Sequence, residues 1–110
     1  MPMGAYLGEF EQHVLAALLP LRGNAYGVTI RREIVERTGR DVAVGAIYAT
    51  LDRLEAKGYV SSRLGEATPE RGGRAKRYFE IEAPGEQALT EAWHMMDAMS
   101  EGLKAAGAPT

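Results

Sequence analysis

The sequence predicts a mainly α-helical domain that carries a small β-hairpin, an α+β arrangement. Three observations support this prediction. Apolar residues recur at helical spacing in four segments, residues 59–64 and 76–81 alternate as half-buried strands do, and an arginine-rich loop with adjacent glycines joins those strands. The 110 residues suit one domain of common size, and the absence of cysteine excludes disulfides and thiolate metal sites.

The first predicted helix covers residues 9–19, where a wide apolar stripe ends at Pro20. The stripe consists of Phe10, Val14, Leu15, Leu18 and Leu19. A stripe of this width is typical of a core helix. We expect this helix to be structural, with Phe10 and Val14 also facing a second subunit.

The second predicted helix covers residues 27–38, buries Ile30 and Ile34, and ends at a turn that contains Gly39. Residues 25–27 could hold a very short strand before it. Arg31, near the start of the helix, could contact a phosphate or belong to a solvated charged face. Both interpretations of Arg31 stay open at this point.

The third predicted helix lies within residues 43–58, AVGAIYATLDRLEAKG, and the rest of the chain is organised around it. Ile47, Leu51 and Leu54 form its apolar stripe. Ala49, Thr50, Arg53 and Lys57 are predicted to lie outside the stripe. Small side chains and a few donors suit a helix that lies in a nucleic-acid groove.

The predicted hairpin is the basic part of an otherwise acidic chain. Residues 59–78 hold five Lys/Arg and two Glu, a net charge of +3, whereas the whole chain has a net charge of -2. Val60 and Leu64 are predicted to share the buried face of the first strand, and Phe79 and Ile81 that of the second. The residues expected to meet DNA here are Arg71, Gly72, Gly73, Arg74, Lys76 and Arg77. Helix, short turn, helix and basic hairpin is the order of a winged helix-turn-helix.

The last predicted helix begins near Pro84 and runs to about residue 104. An apolar, heptad-like stripe consists of Leu89, Ala92, Met96, Met99 and Leu103, with Trp93 beside it. We expect this stripe to form a dimer interface. The chain would then divide into a DNA-binding domain, residues 1–83, and a dimerisation helix with a frayed tail, residues 84–110.

These motifs resemble the PadR family of bacterial transcriptional regulators. The resemblance rests on LGEFEQHVLAALL, NAYGVTIRREI, GAIYATLDRLEAKGYV, PERGGRAKRYFEI and APGEQAL, and its most specific part is the Tyr-x-x-Leu-x-x-Leu-Glu-x-x-Gly pattern that starts at Tyr48. The length is similar to that of the branch with a single C-terminal helix. The resemblance implies a homodimer whose third helices enter successive major grooves of a pseudo-palindromic operator. It also implies a repressor, since members of the family commonly repress transcription.

The resemblance also implies roles for individual residues of the third helix. Val44, Gly45 and Ala49 would approach bases, while Tyr48 and Arg53 would contact the DNA backbone. Tyr48 could instead be a half-buried packing residue, and Arg53 could instead pair with Asp52 or Glu55. The chain departs from the family pattern at three positions, which are the capping positions Ala43 and Glu82 and the acidic strand residue Glu80.

Some members of this family bind aromatic or cationic molecules in a cavity at the dimer interface. That habit makes Trp93 and Met96 candidates for contact with a small aromatic or cationic effector, although both could be plain interface residues. A second function class stays open, a winged-helix module for protein interaction that uses the acidic terminal helix. The arginine-rich wing favours DNA as the partner.

Other classes of protein have little support in the sequence. His13 and His94 have no partners at metal-ligand spacing, Gly72-Gly73 is not followed by Lys-Ser/Thr, and no catalytic triad pattern is present. We expect no enzymatic activity, cofactor or metal. The longest apolar run is too short to cross a membrane, and we expect a cytoplasmic protein.

Overall fold

The computed structural model describes residues 6–65 and 75–107, and within them the fold is mainly helical with one two-stranded antiparallel sheet, as predicted. The elements are α1 (Glu9–Leu18), α2 (Gly27–Thr38), α3 (Val44–Ala56), β1 (Val60–Leu64), β2 (Arg77–Ile81), α4 (Ala83–Met99) and α5 (Glu101–Ala105). None of the helices in the described ranges has the length and hydropathy that a membrane span needs.

Two local predictions were wrong. The last helix is interrupted at Ser100, whose hydroxyl donates to the Asp97 carbonyl at 2.7 Å and so competes with the helical hydrogen bonds. Residues 25–27 form no strand. The Ala25 carbonyl accepts one hydrogen bond from the Phe79 N–H at 2.8 Å, but a single bond does not make a ladder.

The core lies between α1, α2 and α3. Ile47, Leu51 and Leu54 of α3 are fully buried, as their spacing predicts. Thr50 was predicted to lie outside this stripe, but it is only 2% exposed. Because α3 packs against both α1 and α2, its buried stripe is wider than three residues define.

The ends of α2 and α3 and the starts of α3 and α4 follow the sequence closely. Gly39 and Gly58 have φ values of 73° and 79°, the left-handed conformation that ends a helix and favours glycine. Ala43 and Glu82 occupy the N-caps of α3 and α4 without a side-chain capping bond. The two departures from the usual capping residues are therefore real features of the helix starts.

Buried apolar side chains anchor the hairpin at one end only. Its register pairs Val60 with Ile81 and Leu64 with Arg77. Val60 and Phe79 are 3% and 1% exposed, whereas Leu64, which was predicted to be buried with Val60, is 72% exposed. The alternation was correct, but the strands extend past the edge of the core, so the outer end of the hairpin has no apolar support from Leu64.

Helix α4 packs closely against the rest of the domain at its start. A β-carbon on Gly85 would collide with the Tyr59 carbonyl oxygen, and Leu89 is 3% exposed. Val14 of α1 has no exposed surface. Leu89 and Val14 were predicted at the dimer interface, and that assignment needs correction because the core of a single chain already buries them.

Glu11 links α1 to the end of α3. Its carboxylate accepts the Gly8 N–H at 2.8 Å and the Lys57 ammonium at 3.1 Å. Burial raises the pKa of Glu11, but the Gly8 hydrogen bond and the charges of Lys57 and Arg53 outweigh burial and bring the pKa below its ordinary value of 4.5. The folded domain therefore binds this proton less readily than the unfolded chain.

We predict that Glu11→Gln lowers the free energy of unfolding by about 1 kcal/mol at pH 7. A depressed pKa stabilises the fold fully above the unfolded pKa, and the contribution is lost as pH falls through the folded pKa. The variant should therefore approach the wild type in stability as pH falls below the ordinary value of 4.5. Urea unfolding at several pH values measures this difference in stability. The control is Glu36→Gln, at an exposed position of α2. An equal deficit at pH 3 and pH 7 would contradict the assignment.

Candidate nucleic-acid interface

The outward face of α3 is built of small residues. Gly45, Ala49 and Ala56 are exposed along one side of the helix, opposite the buried stripe. Val44 lies at the edge of this face and is half-buried. With no bulky side chain along its centre, the helix backbone can approach a flat or grooved partner closely.

Tyr48 borders this face on the hairpin side. Its ring centroid lies 6.2 Å from that of Phe79, and a β-carbon on Gly27 would lie only 2.7 Å from the Tyr48 hydroxyl oxygen. The ring is half-buried, so it has the packing role that the sequence left open. The hydroxyl lies beside the first residue of α2, and its contact with a DNA phosphate stays a prediction.

Arg53 is exposed on the other side of the face. Its guanidinium donates to the Thr50 hydroxyl at 3.1 Å. The pairing with Asp52 or Glu55 that the sequence left open is not found, because both carboxylates bind another arginine, Arg77. Arg53 thus keeps exposed donors at the edge of α3, and its contact with DNA stays a prediction.

Arg31 supports the turn between α2 and α3. Its Nε donates to the Val42 carbonyl and its Nη2 to Asp41, each at 2.8 Å. These two bonds tie α2 to the segment that leads into α3. The structure therefore gives Arg31 a role in holding the turn, and the predicted phosphate contact is untested.

A row of aromatic and cationic side chains lies across the hairpin and the start of α2. The Tyr26 and Tyr78 rings meet edge to face at 5.5 Å. The Lys76 ammonium lies 4.2 Å from the centre of the Tyr26 ring, and the Arg63 guanidinium lies 4.8 Å from that of Tyr78. The sequence alone does not single out Tyr26, Arg63 or Tyr78, because only the strand register reveals that Arg63 faces Tyr78.

Arg77, predicted to contact DNA, forms an ionic cluster with two carboxylates of α3, and its contact with DNA stays a prediction. Its Nη1 lies 3.0 Å from Asp52 and its Nη2 lies 2.6 Å from Glu55, both on α3. Its Nε donates to the Ser62 hydroxyl at 3.3 Å. The predicted contact residues Arg71, Gly72, Gly73 and Arg74 lie outside the described residues.

Beyond the core, helices α4 and α5 present an exposed apolar row. The exposed fractions are 52% for Trp93, 65% for Met96, 79% for Met99 and 65% for Leu103. Ala92 and Phe10, also predicted at the interface, are half-buried. A row of large apolar side chains at such exposure is typical of a surface that another protein covers.

Trp93 also lies at the edge of a cleft of about 410 Å³ between α1, α2 and α4. His13, Glu33 and Arg37 contribute its polar groups, with Glu33 and Arg37 paired at 2.8 Å. The Nδ1 atom of His13 is buried and has no hydrogen-bond partner within the described ranges. Met96 does not line this cleft, so the structure separates the two candidate effector contacts.

Comparison with known proteins shows which family has this sequence pattern and this fold. Residues 14–91 match the transcriptional regulator PadR-like family. Among solved structures, a PadR-like transcription factor from Bacteroides fragilis aligns with a TM-score of 0.72 at 22% identity, over 88% of both chains. A PadR-like regulator from Bacillus cereus aligns with a TM-score of 0.71 at 18% identity, over 92% of this chain and 93% of that chain.

A PadR family regulator from Eggerthella lenta aligns with a TM-score of 0.67 at 21% identity, over 89% of this chain and 85% of that chain. A search of curated proteins found no match. At these identities the structural likenesses support the fold alone. The family match covers most of the chain and includes α2, α3 and both strands. This chain therefore belongs to the PadR-like family of DNA-binding transcriptional regulators.

Proposed function

We propose that the chain is a repressor that binds a pseudo-palindromic operator as a homodimer and that a small molecule bound near Trp93 releases it from DNA. The observation that carries the proposal is the small-residue face of α3 beside a basic hairpin. In this proposal residues 1–83 read DNA and residues 84–110 hold the two subunits together.

The proposed DNA contacts follow the exposed face of α3. Gly45 and Ala49 lie at its centre, so bases can approach the helix closely, and Val44 lies at its edge. Tyr48 and Arg53 border the face on opposite sides, where the phosphates of a major groove would run. The proposed wing contacts are Arg71, Gly72, Gly73, Arg74 and Lys76.

The proposed dimer interface is the apolar row of α4 and α5. In a single chain, large apolar surfaces of this row are in contact with water, on Trp93, Met96, Met99 and Leu103. Burying them against the same row of a second chain gives a two-fold symmetric contact. Two recognition helices related by such an axis match an operator with two similar half-sites one helical turn apart.

The proposed effector site is the cleft beside Trp93. The Trp93 ring offers a face for stacking an aromatic or cationic molecule, and Glu33 and Arg37 line the cleft as an ion pair that adds polar groups without net charge. Because α4 also carries the proposed dimer row, a ligand that shifts α4 would change the spacing of the two α3 helices.

The test combines a reporter with fluorescence. A reporter gene placed behind the DNA upstream of this chain's own gene should lose output when the protein is supplied. Trp93 is the only tryptophan of the chain, so its emission reports ligand binding directly. A compound that quenches this emission should lower operator affinity by about 5- to 150-fold, the usual range of coupling between two sites.

The matched control is Trp93→Ala, which should bind DNA but lose the response to the compound. Release of DNA from this variant at the same compound concentration would contradict the effector site. Reporter output that is unchanged or raised by the protein would contradict repression.

A further inference from the structure

We propose that Arg77 controls DNA binding without touching DNA. In this view Arg77 is a positioning residue that fixes the wing against α3 and neutralises Asp52 and Glu55 beside the DNA-facing surface. The inference rests on the proposed DNA contacts of α3 and the wing, and it replaces the direct phosphate contact that the basic sequence of the wing predicts.

The guanidinium of Arg77 makes three hydrogen bonds within the protein. Its three nitrogens contact three different side chains, with Nη1 on Asp52 at 3.0 Å, Nη2 on Glu55 at 2.6 Å and Nε on Ser62 at 3.3 Å. Its central carbon lies 4.8 Å from the centre of the Phe79 ring. A planar guanidinium held at its edges and on one face has few donors left for a phosphate.

Ser62 completes a closed ring of hydrogen bonds with Arg77 and Glu55. The Ser62 hydroxyl donates to the second carboxylate oxygen of Glu55 at 2.8 Å, while the first oxygen accepts from Arg77. Both strands of the hairpin therefore bind the same glutamate of α3. The Arg77 side chain is 36% exposed and that of Glu55 is 35% exposed, so water screens this pair only partly.

The position of Arg77 in the hairpin lets the cluster support the end of the hairpin that is nearest to the wing loop. Arg77 and Leu64 form the last pair of the ladder before the loop that carries Arg71 and Arg74. Val60 and Phe79 fix the inner end of the hairpin in the core, but Leu64 is 72% exposed. The ionic contacts to α3 hold the outer end of the described hairpin, together with the edge-to-face contact of Tyr78 with Tyr26.

The charges of the cluster matter as much as its geometry. Asp52 follows Ala49 on the outward side of α3 and its side chain is 60% exposed. A carboxylate at this position would repel the phosphates that flank the groove. Arg77 offsets that charge, so the acidic residues of α3 are tolerated beside DNA only while Arg77 is paired with them.

A double-mutant cycle on DNA affinity tests the proposal. Arg77→Ala is measured in the wild-type chain and in an Asp52→Asn/Glu55→Gln background, by fluorescence anisotropy on a labelled duplex from upstream of the gene. In the wild type we expect roughly a tenfold loss of affinity, because two carboxylates are left unpaired and the wing loses its support. In the neutral background we expect less than about a twofold loss, since the neutral amides hold Arg77 more weakly and leave no carboxylate charge for it to neutralise.

Salt dependence gives a second measurement that a purely structural role would not change. In the neutral background Arg77→Ala should leave the slope of log affinity against log salt unchanged. A lost phosphate contact would lower the magnitude of that slope by about 0.9. Arg77→Lys keeps the charge but cannot bridge both carboxylates, so its affinity should lie between those of wild type and Arg77→Ala.

Arg63→Ala is the matched control, because it removes a cation from the neighbouring strand that stacks on Tyr78 and not on the carboxylates. Its effect should be the same in both backgrounds. Thermal unfolding of each variant verifies that it is folded. An equal or larger loss for Arg77→Ala in the neutral background would overturn the proposal while DNA binding stands. Absence of salt-dependent DNA binding by the wild type would overturn the proposed function and this inference together.

Discussion

Replacing Ala49 with glutamate is expected to lower operator affinity at least about 100-fold, because like charge at a binding surface costs several kcal/mol. Ala49 lies at the centre of the outward face of α3, so the new carboxylate would point at the groove. The position is exposed, and glutamate is a good helix former, so the fold should be kept. Anisotropy titration on the operator duplex measures the loss.

The matched control for this substitution is Ala98→Glu. Ala98 is exposed on α4, opposite the apolar row, and receives the same charge at a distance from α3. We expect this variant to bind within about twofold of the wild type, since rim charges remote from DNA are screened by salt. Similar losses at both positions would mean that overall charge, and not the face of α3, decides affinity.

The second large effect is expected at the dimer row. Replacing Met96 and Met99 with aspartate places two charges in a surface that we propose to be apolar and self-complementary. The variant should be monomeric at micromolar concentration. Because a dimer gains its second half-site at high effective concentration, operator affinity should fall by about 10²- to 10⁴-fold.

Sedimentation velocity measures the oligomeric state, and anisotropy measures the affinity of the same sample. Ala98→Asp, on the opposite side of α4, is the control and should remain dimeric. A Met96→Asp/Met99→Asp chain that still dimerises would remove the α4 row from the proposed interface. A monomeric chain that binds the operator as tightly as the wild type would contradict the need for two half-sites.

The parts of the fold that the sequence predicted are those set by local spacing. Ile47, Leu51 and Leu54 lie one or two turns apart, so the period of the helix alone assigns them to the core. Gly39 and Gly58 mark helix ends because few other residues adopt a positive φ. These signals need no knowledge of neighbouring elements.

The parts that the sequence did not predict depend on contacts between distant segments. Leu64 alternates correctly, but its exposure depends on how far the hairpin extends past the core. Val14 belongs to an apolar stripe that the monomer core and a dimer interface could share, and spacing cannot divide that stripe between them. Burial in one chain decides the matter only after α4 is packed on α1.

The ionic cluster of Arg77 shows the same limit within the candidate site. Arginine in a basic hairpin predicts a phosphate contact when the composition alone is considered. Asp52 and Glu55 are 25 and 22 residues away in the chain, and only the packed structure brings them within 3.0 Å of the guanidinium. Charge counts along a sequence therefore overstate the number of arginines that are free to bind DNA.

The most direct test of the proposed DNA-binding function is a titration of the wild-type chain on two duplexes. One is the duplex from upstream of its own gene, and the other is a scrambled duplex of the same composition. We predict that the upstream duplex is bound at least about 10³-fold more tightly than the scrambled duplex at near-physiological salt. Affinity for both duplexes should fall steeply as salt is raised. Equal affinity for the two duplexes, or no binding to either, would contradict the proposal that the exposed face of α3 reads an operator in this region.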